Sequence, residues 1–335
     1  MITIYDIAKA TGYSAPTVSK ALNGLGTLSV KTRERIIKTA KDMGYTPNIS
    51  ARTLSTKKSN LIGVIYDDTG MHKGFAHPLF SVILDRFREQ VERAGYDIIF
   101  LSRHFNMTYF LHSQYRNVDG VIIINPATQD RSEFSEFVTE KIPCVSTNCI
   151  IDGITTIISD NEKCGYIATE HFIKKGHRKI AFLSAPKGIS SAPTERYIGF
   201  RKALEDYNIP FDEELFVQSE QWVMKGGSDA FEQLYKRRQD FTAIFAVTDW
   251  LARGIYDYAE AHGLKIPEDI SVIGFDNTEA SGYMAPPLTT FQQDAIKIAD
   301  LAADILLRQI NGEETPQLIR CDATLLDRKS VKDMN

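Results

Sequence analysis

Residues 3–23, Thr3-Ile-Tyr-Asp-Ile-Ala-Lys-Ala-Thr-Gly-Tyr-Ser-Ala-Pro-Thr-Val-Ser-Lys-Ala-Leu-Asn23, constrain this chain more than any other stretch. They predict two short helices joined by a tight turn, the geometry of a helix-turn-helix. Thr3 is placed to cap the first helix, with Asp6 three residues on, as in a capping box. Ile4, Ile7 and Ala8 then share one face. Gly12 stands where a sharp turn needs an unhindered backbone. Ser14 is set to cap the second helix, and Pro16 suits its first turn, where a missing N–H costs little. Val18, Ala21 and Leu22 face inward, which leaves Ala15, Pro16, Thr17, Ser19 and Lys20 facing out. A helix pair with no partner would share this periodicity, but the small, polar and basic outer face favours a DNA reader.

A third helix is predicted after Ser29, with Val30, Ile36, Ile37, Ala40 and Met43 at helical spacing and Gly44 ending it. Pro47 and Asn48 are placed to start a short fourth helix over Ile49–Ser55. Its large apolar residues, Ile49 and Leu54, give it little to bury alone.

Charge supports a division of labour. Residues 1–58 carry ten Lys/Arg against three acids, a net +7, whereas the whole chain nets −4 and the remainder −11. A basic head on an acidic body implies that only the head meets nucleic acid. A length of 335 residues suggests two or three domains. No apolar run is long enough to span a membrane, and no secretory signal opens the sequence. Cys144, Cys149, Cys164 and Cys321 are scattered without metal spacing and read as reduced packing thiols.

From Asn60 the pattern becomes alternating strands and helices. Strands are predicted at Leu61–Tyr66, Asp97–Leu101, Gly120–Ile124, Ile142–Ser146, Thr156–Ser159, Gly176–Leu183, Ala243–Val247 and Ile270–Phe275. Helices are predicted at Pro78–Ala94, Asn161–Lys175, Thr194–Tyr207 and Trp250–His262. Apolar strands separated by helices imply parallel sheets covered on both faces. The expected fold is therefore an all-α helix-turn-helix headpiece followed by a two-lobed α/β body like a periplasmic binding protein. Ligand would sit between the lobes at the C-terminal ends of the strands.

Several motifs in order now carry a resemblance. The run Thr3–Asn23, Val30-Lys-Thr-Arg-Glu-Arg35 and Gly44-Tyr-Thr-Pro-Asn48 resemble the headpiece and hinge of the lactose-repressor (LacI/GalR) family. So do Gly176-His-Arg-Lys-Ile180, Pro267-Glu-Asp-Ile-Ser-Val-Ile-Gly-Phe-Asp-Asn277 and Pro287-Leu-Thr-Thr-Phe-Gln-Gln-Asp294, so the resemblance covers nearly the whole chain. It implies a headpiece over 1–46, a hinge over 47–59 and a body over 60–335. The first lobe would span about 60–159 and 291–321, the second about 160–290 and 322–331, with crossings near Ser159, Thr290 and Cys321. Helix Ala295–Ile310 would return to the first lobe. It further implies a cytoplasmic, nucleoid-associated bacterial repressor, homodimeric on near-palindromic double-stranded operator DNA, with a small carbohydrate effector, no cofactor and no metal.

On the DNA side, Ala15, Pro16 and Lys20 are expected nearest base edges. Thr3, Tyr5, Ser14, Thr17, Ser19, Asn23 and Ser29 would fix register on phosphates. In the hinge, Asn48, Ala51, Arg52 and Leu54 are the DNA candidates, with Leu54 a minor-groove wedge. On the effector side the candidates are Tyr66, Phe75, Asn148 (after the fifth strand), Arg196, Trp222, Thr248, Asp249 and Asp276. Carboxylates and guanidinium groups can each satisfy paired hydroxyls, and an indole packs on a sugar ring face. Other roles compete. Asn148 could end a strand, Arg196 could bridge the lobes, Trp222 could fill the core, and Asp249 and Asp276 could cap helices.

Other functions fit less well. A corepressor-dependent or partner-protein-dependent regulator has the same parts. A cytoplasmic solute-binding protein would leave the headpiece unexplained. An enzyme would need a phosphate loop, a nucleophile elbow or a metal cluster, and the sequence offers none. His104, His112, His171 and His177 lie on or beside helices without recognisable partners.

Overall fold

The computed structural model describes residues 2–24, 26–46, 58–66, 74–103, 107–126, 131–188 and 190–335. The chain forms two compact units, Met1–Asn60 and Leu61–Asn335, taken here in turn.

The first unit holds α1 (Ile4–Thr11), α2 (Ala15–Leu22) and α3 (Val30–Asp42). Local chemistry sets their starts. The Asp6 carboxylate accepts from the Thr3 N–H at 2.9 Å and the Thr3 hydroxyl at 2.8 Å. Ser14 Oγ accepts from the Thr17 N–H at 3.4 Å, and Ser29 Oγ from the Thr32 N–H at 3.2 Å. Each such cap is worth about 1 kcal/mol. Gly12, at φ +77°, closes α1 in a left-handed turn. Ile7, Val18, Ala21, Ile36 and Ala40 form the core. Two residues assigned to that core by spacing lie outside it: Val30 is 73% exposed and Ile37 47%. On α3 only the stripe of Ile36, Ala40 and Met43 turns toward the two shorter helices.

The second unit contains two parallel sheets. The first is built from β1 (Leu61–Tyr66), β2 (Asp97–Leu101), β3 (Gly120–Asn125), β4 (Cys144–Ser146), β5 (Thr155–Ser159) and β11 (Leu318–Cys321), in the order β11-β5-β4-β3-β1-β2. Alternate residues serve opposite faces. Ile62 and Val64 join a core with Phe80, Ile83 and Phe87 of α4 (Pro78–Arg93) and Ile298, Ala302 and Leu306 of α12 (Ala295–Ile310). Ile65, Val121 and Ile123 join one with Tyr109 and Phe110 of α5 (Tyr109–Arg116) and Phe137 of α6 (Ser135–Thr139).

The second sheet has the order β7-β6-β8-β9: β6 (Ile180–Ser184), β7 (Phe216–Gln218), β8 (Ala243–Ala246) and β9 (Ser271–Ile273). Its layers are α7 (Asn161–Lys174), α8 (Ala192–Asp206), α9 (Met224–Arg237) and α10 (Asp249–His262). The chain leaves the first sheet after β5. After the short α11 (Glu279–Gly282) it returns through β10 (Thr290–Gln293) into α12, then leaves again after β11 for β12 (Ala323–Leu326), which pairs antiparallel with β10.

Some elements differ from expectation. The strand assigned from Gly176 begins at Ile180, because Gly176 at φ +90° and His177 complete the turn that ends α7. β7 and α9 have no counterpart in the sequence reading. β7 is three residues long, and α9 carries Gly226-Gly227 in its first turn, an adverse pair by helix propensity. Tertiary approach explains the pair. A Cβ on Gly227 would lie 2.3 Å from Leu251 O, and one on Gly254 of α10 would lie 2.1 Å from Met224 O.

Candidate functional site

On the headpiece, α2 presents Pro16 and Lys20 to solvent, with Ala15, Thr17, Ser19 and Asn23 half-buried beside them. Thr3, Ser14 and Ser29 are exposed at the helix starts, and Tyr5 is 72% exposed. Ser14 and Thr17 hydroxyls lie 2.8 Å apart, and Asn23 Nδ2 donates to Ser19 Oγ at 3.4 Å. The Arg33 guanidinium donates to Gly26 O at 3.3 Å, which ties the segment after α2 to α3. The result is a preformed polar and basic helix face of the kind that enters a major groove. The hinge candidates Asn48, Ala51, Arg52 and Leu54 lie outside the described residues.

In the body, the strand ends converge on Arg196. This buried side chain on α8 donates from Nε to Asn161 Oδ1 at 2.9 Å and from Nη1 to the Val247 carbonyl. Its guanidinium carbon stands 3.3 Å over the Phe275 ring, a cation–π stack. Asp276 follows Phe275, half-buried, and accepts from Gln293 Nε2 at 2.8 Å. Burial pushes the Asp276 carboxyl up to about 7, helped by the Asp249 charge and opposed by Arg196 and Gln293. Burial likewise pushes Arg196 down to about 10, with Asp276 resisting, so it stays cationic at neutral pH. The interlobe bridge weighed for Arg196 falls instead to its neighbour. Glu195 pairs with Arg320 of β11 at 2.8 and 3.0 Å.

The remaining candidates fall into four groups. Asn148 comes after the fourth strand, β4, rather than a fifth. Its Nδ2 donates to Asn125 Oδ1 at 3.0 Å, and its carbonyl accepts from Ser190 Oγ at 3.4 Å, which joins the first lobe to the segment before α8. Trp222 is half-buried on the second-lobe core, just before α9. Tyr66 and Phe75 stack on each other at 5.4 Å, with Phe75 edge-on to Phe100 and Tyr66 edge-on to Phe80 of the first-lobe core, an aromatic cluster separate from Arg196. Thr248 and Asp249 are engaged within the protein. Thr248 Oγ1 caps α10 by accepting from the Leu251 N–H at 3.2 Å. Asp249, fully buried and pushed up to about 6 by that burial, accepts from Thr278 and Thr290.

The sequence reading missed Asn125, Asn161 and Gln293, although Asn125 ends a strand and obeys the same rule that found Asn148. It also missed Thr147 Oγ1 and Ser191 Oγ, buried without a hydrogen-bond partner among the described residues and so able to meet a polar ligand. Two of the histidines read as partnerless have hydrogen-bond partners, and His171 has none at its Nε2 among the described residues. His112 Nδ1 meets Ser102, His171 lies 3.4 Å from Asp327, and His177 bridges Thr242 Oγ1 at 2.8 Å and Lys332 O at 3.1 Å. His104 lies outside the described residues. Among the described residues no group of His, Cys, Asp and Glu could hold a metal, and no helix is long and apolar enough to cross a membrane.

A helix-turn-helix headpiece on a two-lobed body with a polar cluster at its strand ends defines a DNA-binding regulator with a periplasmic-binding-protein-like domain. Residues 3–48 match the bacterial regulatory proteins of the lacI family, and residues 169–331 match the periplasmic binding protein-like domain. The transcriptional regulator DegA of Bacillus subtilis is 32% identical over 299 residues, covering 87% of this chain and 86% of DegA. A structure of the Lac repressor dimer bound to operator and the anti-inducer ONPF superposes with a TM-score of 0.81 at 26% identity, covering 99% of each chain. The CelR–cellobiose complex superposes at 0.72 with 25% identity, over 98% of this chain and all of CelR. The chain belongs to the LacI family of DNA-binding transcription regulators.

Proposed function

We propose that this protein is a homodimeric repressor whose grip on operator DNA is controlled by a small uncharged sugar or sugar derivative held between the lobes. The observation that carries this reading is the Arg196–Phe275–Asp276 cluster, a cation and a carboxylate beside an aromatic face at the second-lobe strand ends. Asn148 supplies amide groups from the first lobe, and Trp222 a ring face from the second. Thr248 and Asp249 support these contacts from within, and Tyr66 and Phe75 shape the first-lobe rim. The sugar acts as inducer by favouring one lobe orientation over another, to the extent that it binds the two differently. CelR's complex with cellobiose supports the sugar, and the Lac repressor's operator-bound dimer supports the DNA partner and the assembly. Thermal shift of the full chain against neutral sugars, sugar phosphates and nucleobases tests the effector class. A rise confined to neutral sugars is expected, and a rise confined to nucleobases would overturn it.

The Asp276 titration makes the effector response pH-dependent. Sugar hydroxyls donate to the ionised carboxylate, so affinity is expected to rise as pH climbs through about 7. Asp276→Asn should flatten that profile, as followed by calorimetry at pH 5.5, 7 and 8.5. The same shift has the opposite effect on stability. Asp276 binds its proton more tightly in the folded state, so its contribution is fully present below about pH 4 and is lost as pH rises from there through about 7.

On the DNA side, Lys20→Ala is expected to relax preference at one base pair, costing about 1–3 kcal/mol there. Binding to a library of operator variants reads this out. Equal weakening on every sequence would make Lys20 a phosphate contact.

A further inference from the structure

Asp276 and Asn277 follow the second-lobe strand β9 and sit at φ +113° and +47°, two adjacent non-glycine residues on the left-handed side. L-residues resist that backbone, and it persists only where surrounding contacts over-determine it. The Asp276 N–H donates to the Phe291 carbonyl at 3.1 Å, Gln293 donates to the Asp276 carboxylate and Asn277 Nδ2 donates to Gln292, and two side chains distant in sequence add further contacts. Asp249 brackets the turn. Its backbone N–H donates to the Phe275 carbonyl before the turn at 2.7 Å. Its Oδ2 accepts from the Thr278 N–H at 2.7 Å and the Thr278 hydroxyl at 3.1 Å after it. Its Oδ1 accepts from Thr290 Oγ1 at 2.6 Å, and Thr290 Oγ1 in turn accepts from the Asn277 N–H at 3.3 Å. A Cβ on Gly274 would stand 2.5 Å from Oδ1, so glycine there gives the carboxylate its room.

Arg328 holds the turn from the C-terminal segment. It donates to Asn277 Oδ1, to Ser281 Oγ at 3.0 Å and to the Leu288 carbonyl at 2.9 Å.

We propose that Asp249 and Arg328 are positioning residues that hold the Asp276–Asn277 turn in its left-handed conformation and so fix where the Asp276 carboxylate stands in the cleft. The effector consequence rests on the proposed contact between Asp276 and a sugar. Asp249 then serves the effector through Asp276 instead of touching it. This explains why both its oxygens are spent inside the protein although it follows directly on a strand-end segment.

The test uses the full chain without ligand. Hydrogen exchange of the Asn277 and Thr278 amides is expected to quicken about tenfold or more in Asp249→Ala and in Arg328→Met, with β6 and β8 unchanged. Asp249→Asn should keep slow exchange, because its amide oxygen still accepts from the Thr278 N–H. In Arg328→Met the Asp276 carboxyl carbon signal, assigned by its absence in Asp276→Asn, should titrate about one unit or more lower as the side chain gains solvent. Should Asp249→Ala fail to fold, Arg328→Met carries the test. Unchanged exchange at 277–278 and an unchanged Asp276 midpoint in the folded variants would overturn the proposal. A wild-type chain that no sugar stabilises would count against the effector reading and leave these ligand-free results standing.

Discussion

Arg196→Ala should abolish the effector response while operator binding by the folded fraction stays near wild type. The buried guanidinium binds Asn161 and Val247 and covers Phe275, and its charge opposes the upward shift of the Asp276 carboxyl. Removing it takes away the cation that faces the ligand and leaves Asn161 Oδ1 and the Val247 carbonyl without their buried donor, at a cost of about 1–3 kcal/mol to folding for each. Asp276→Asn separates the two effects, because it removes the other ligand-facing charge while Arg196 keeps its hydrogen bonds to Asn161 and Val247 and its stack on Phe275. Both variants should bind operator without responding to sugar, and only Arg196→Ala should show a large fall in the urea midpoint. A gel shift with and without sugar, paired with urea unfolding, checks both points. A retained sugar response in Arg196→Ala would remove that residue from the site.

The second large effect is steric. Gly199 lies within α8 where it crosses α7, and an added Cβ would fall 1.8 Å from Glu162 O and 2.7 Å from the Tyr166 nitrogen. Both obstacles are backbone and cannot swing aside. Helix propensity alone predicts that Gly199→Ala stabilises the chain by about 1 kcal/mol. The contact geometry predicts the opposite sign, a loss of about 3 kcal/mol or more, as the two helices part. Gly165 makes the reciprocal approach, with a Cβ 2.0 Å from Arg196 O, so Gly165→Ala should also displace Arg196 and weaken sugar binding. Urea midpoints at constant m-value measure the first effect. A stabilised Gly199→Ala would show that the helices are farther apart than described.

How far the sequence carries can be seen residue by residue. The headpiece was legible because its signals are local: Thr3 with Asp6, Ser14 with Thr17 and Ser29 with Thr32 all act within one helical turn. Leu61–Tyr66 and Gly120–Asn125 were legible because strands buried on both faces read as apolar runs. α9 was not, since Gly226-Gly227 opposes helix locally and makes sense only against Leu251 on another helix. Asp276 followed from the rule that strand ends face the cleft, whereas Arg196 lies within α8 and came from the family resemblance, and the surroundings of neither were legible. The partners of Asp249, at Thr278 and Thr290, lie 29 and 41 residues away, and those of His177 lie 65 and 155 away. Exposure of Val30 and Ile37 was equally hidden, because helical spacing gives a stripe and not its width.

The central claim is that one ligand between the lobes and one operator at the headpieces compete for the same conformational equilibrium. Linkage makes this quantitative: the factor by which sugar lowers operator affinity must equal the factor by which operator lowers sugar affinity. Calorimetric titration of the sugar giving the largest thermal shift, into free protein and into protein saturated with operator, measures the second factor directly. Weaker sugar binding to the operator complex, by the ratio found in gel shifts, is the predicted result. Identical affinities in the two titrations would contradict the account, leaving a DNA reader and a ligand sensor that merely share a chain.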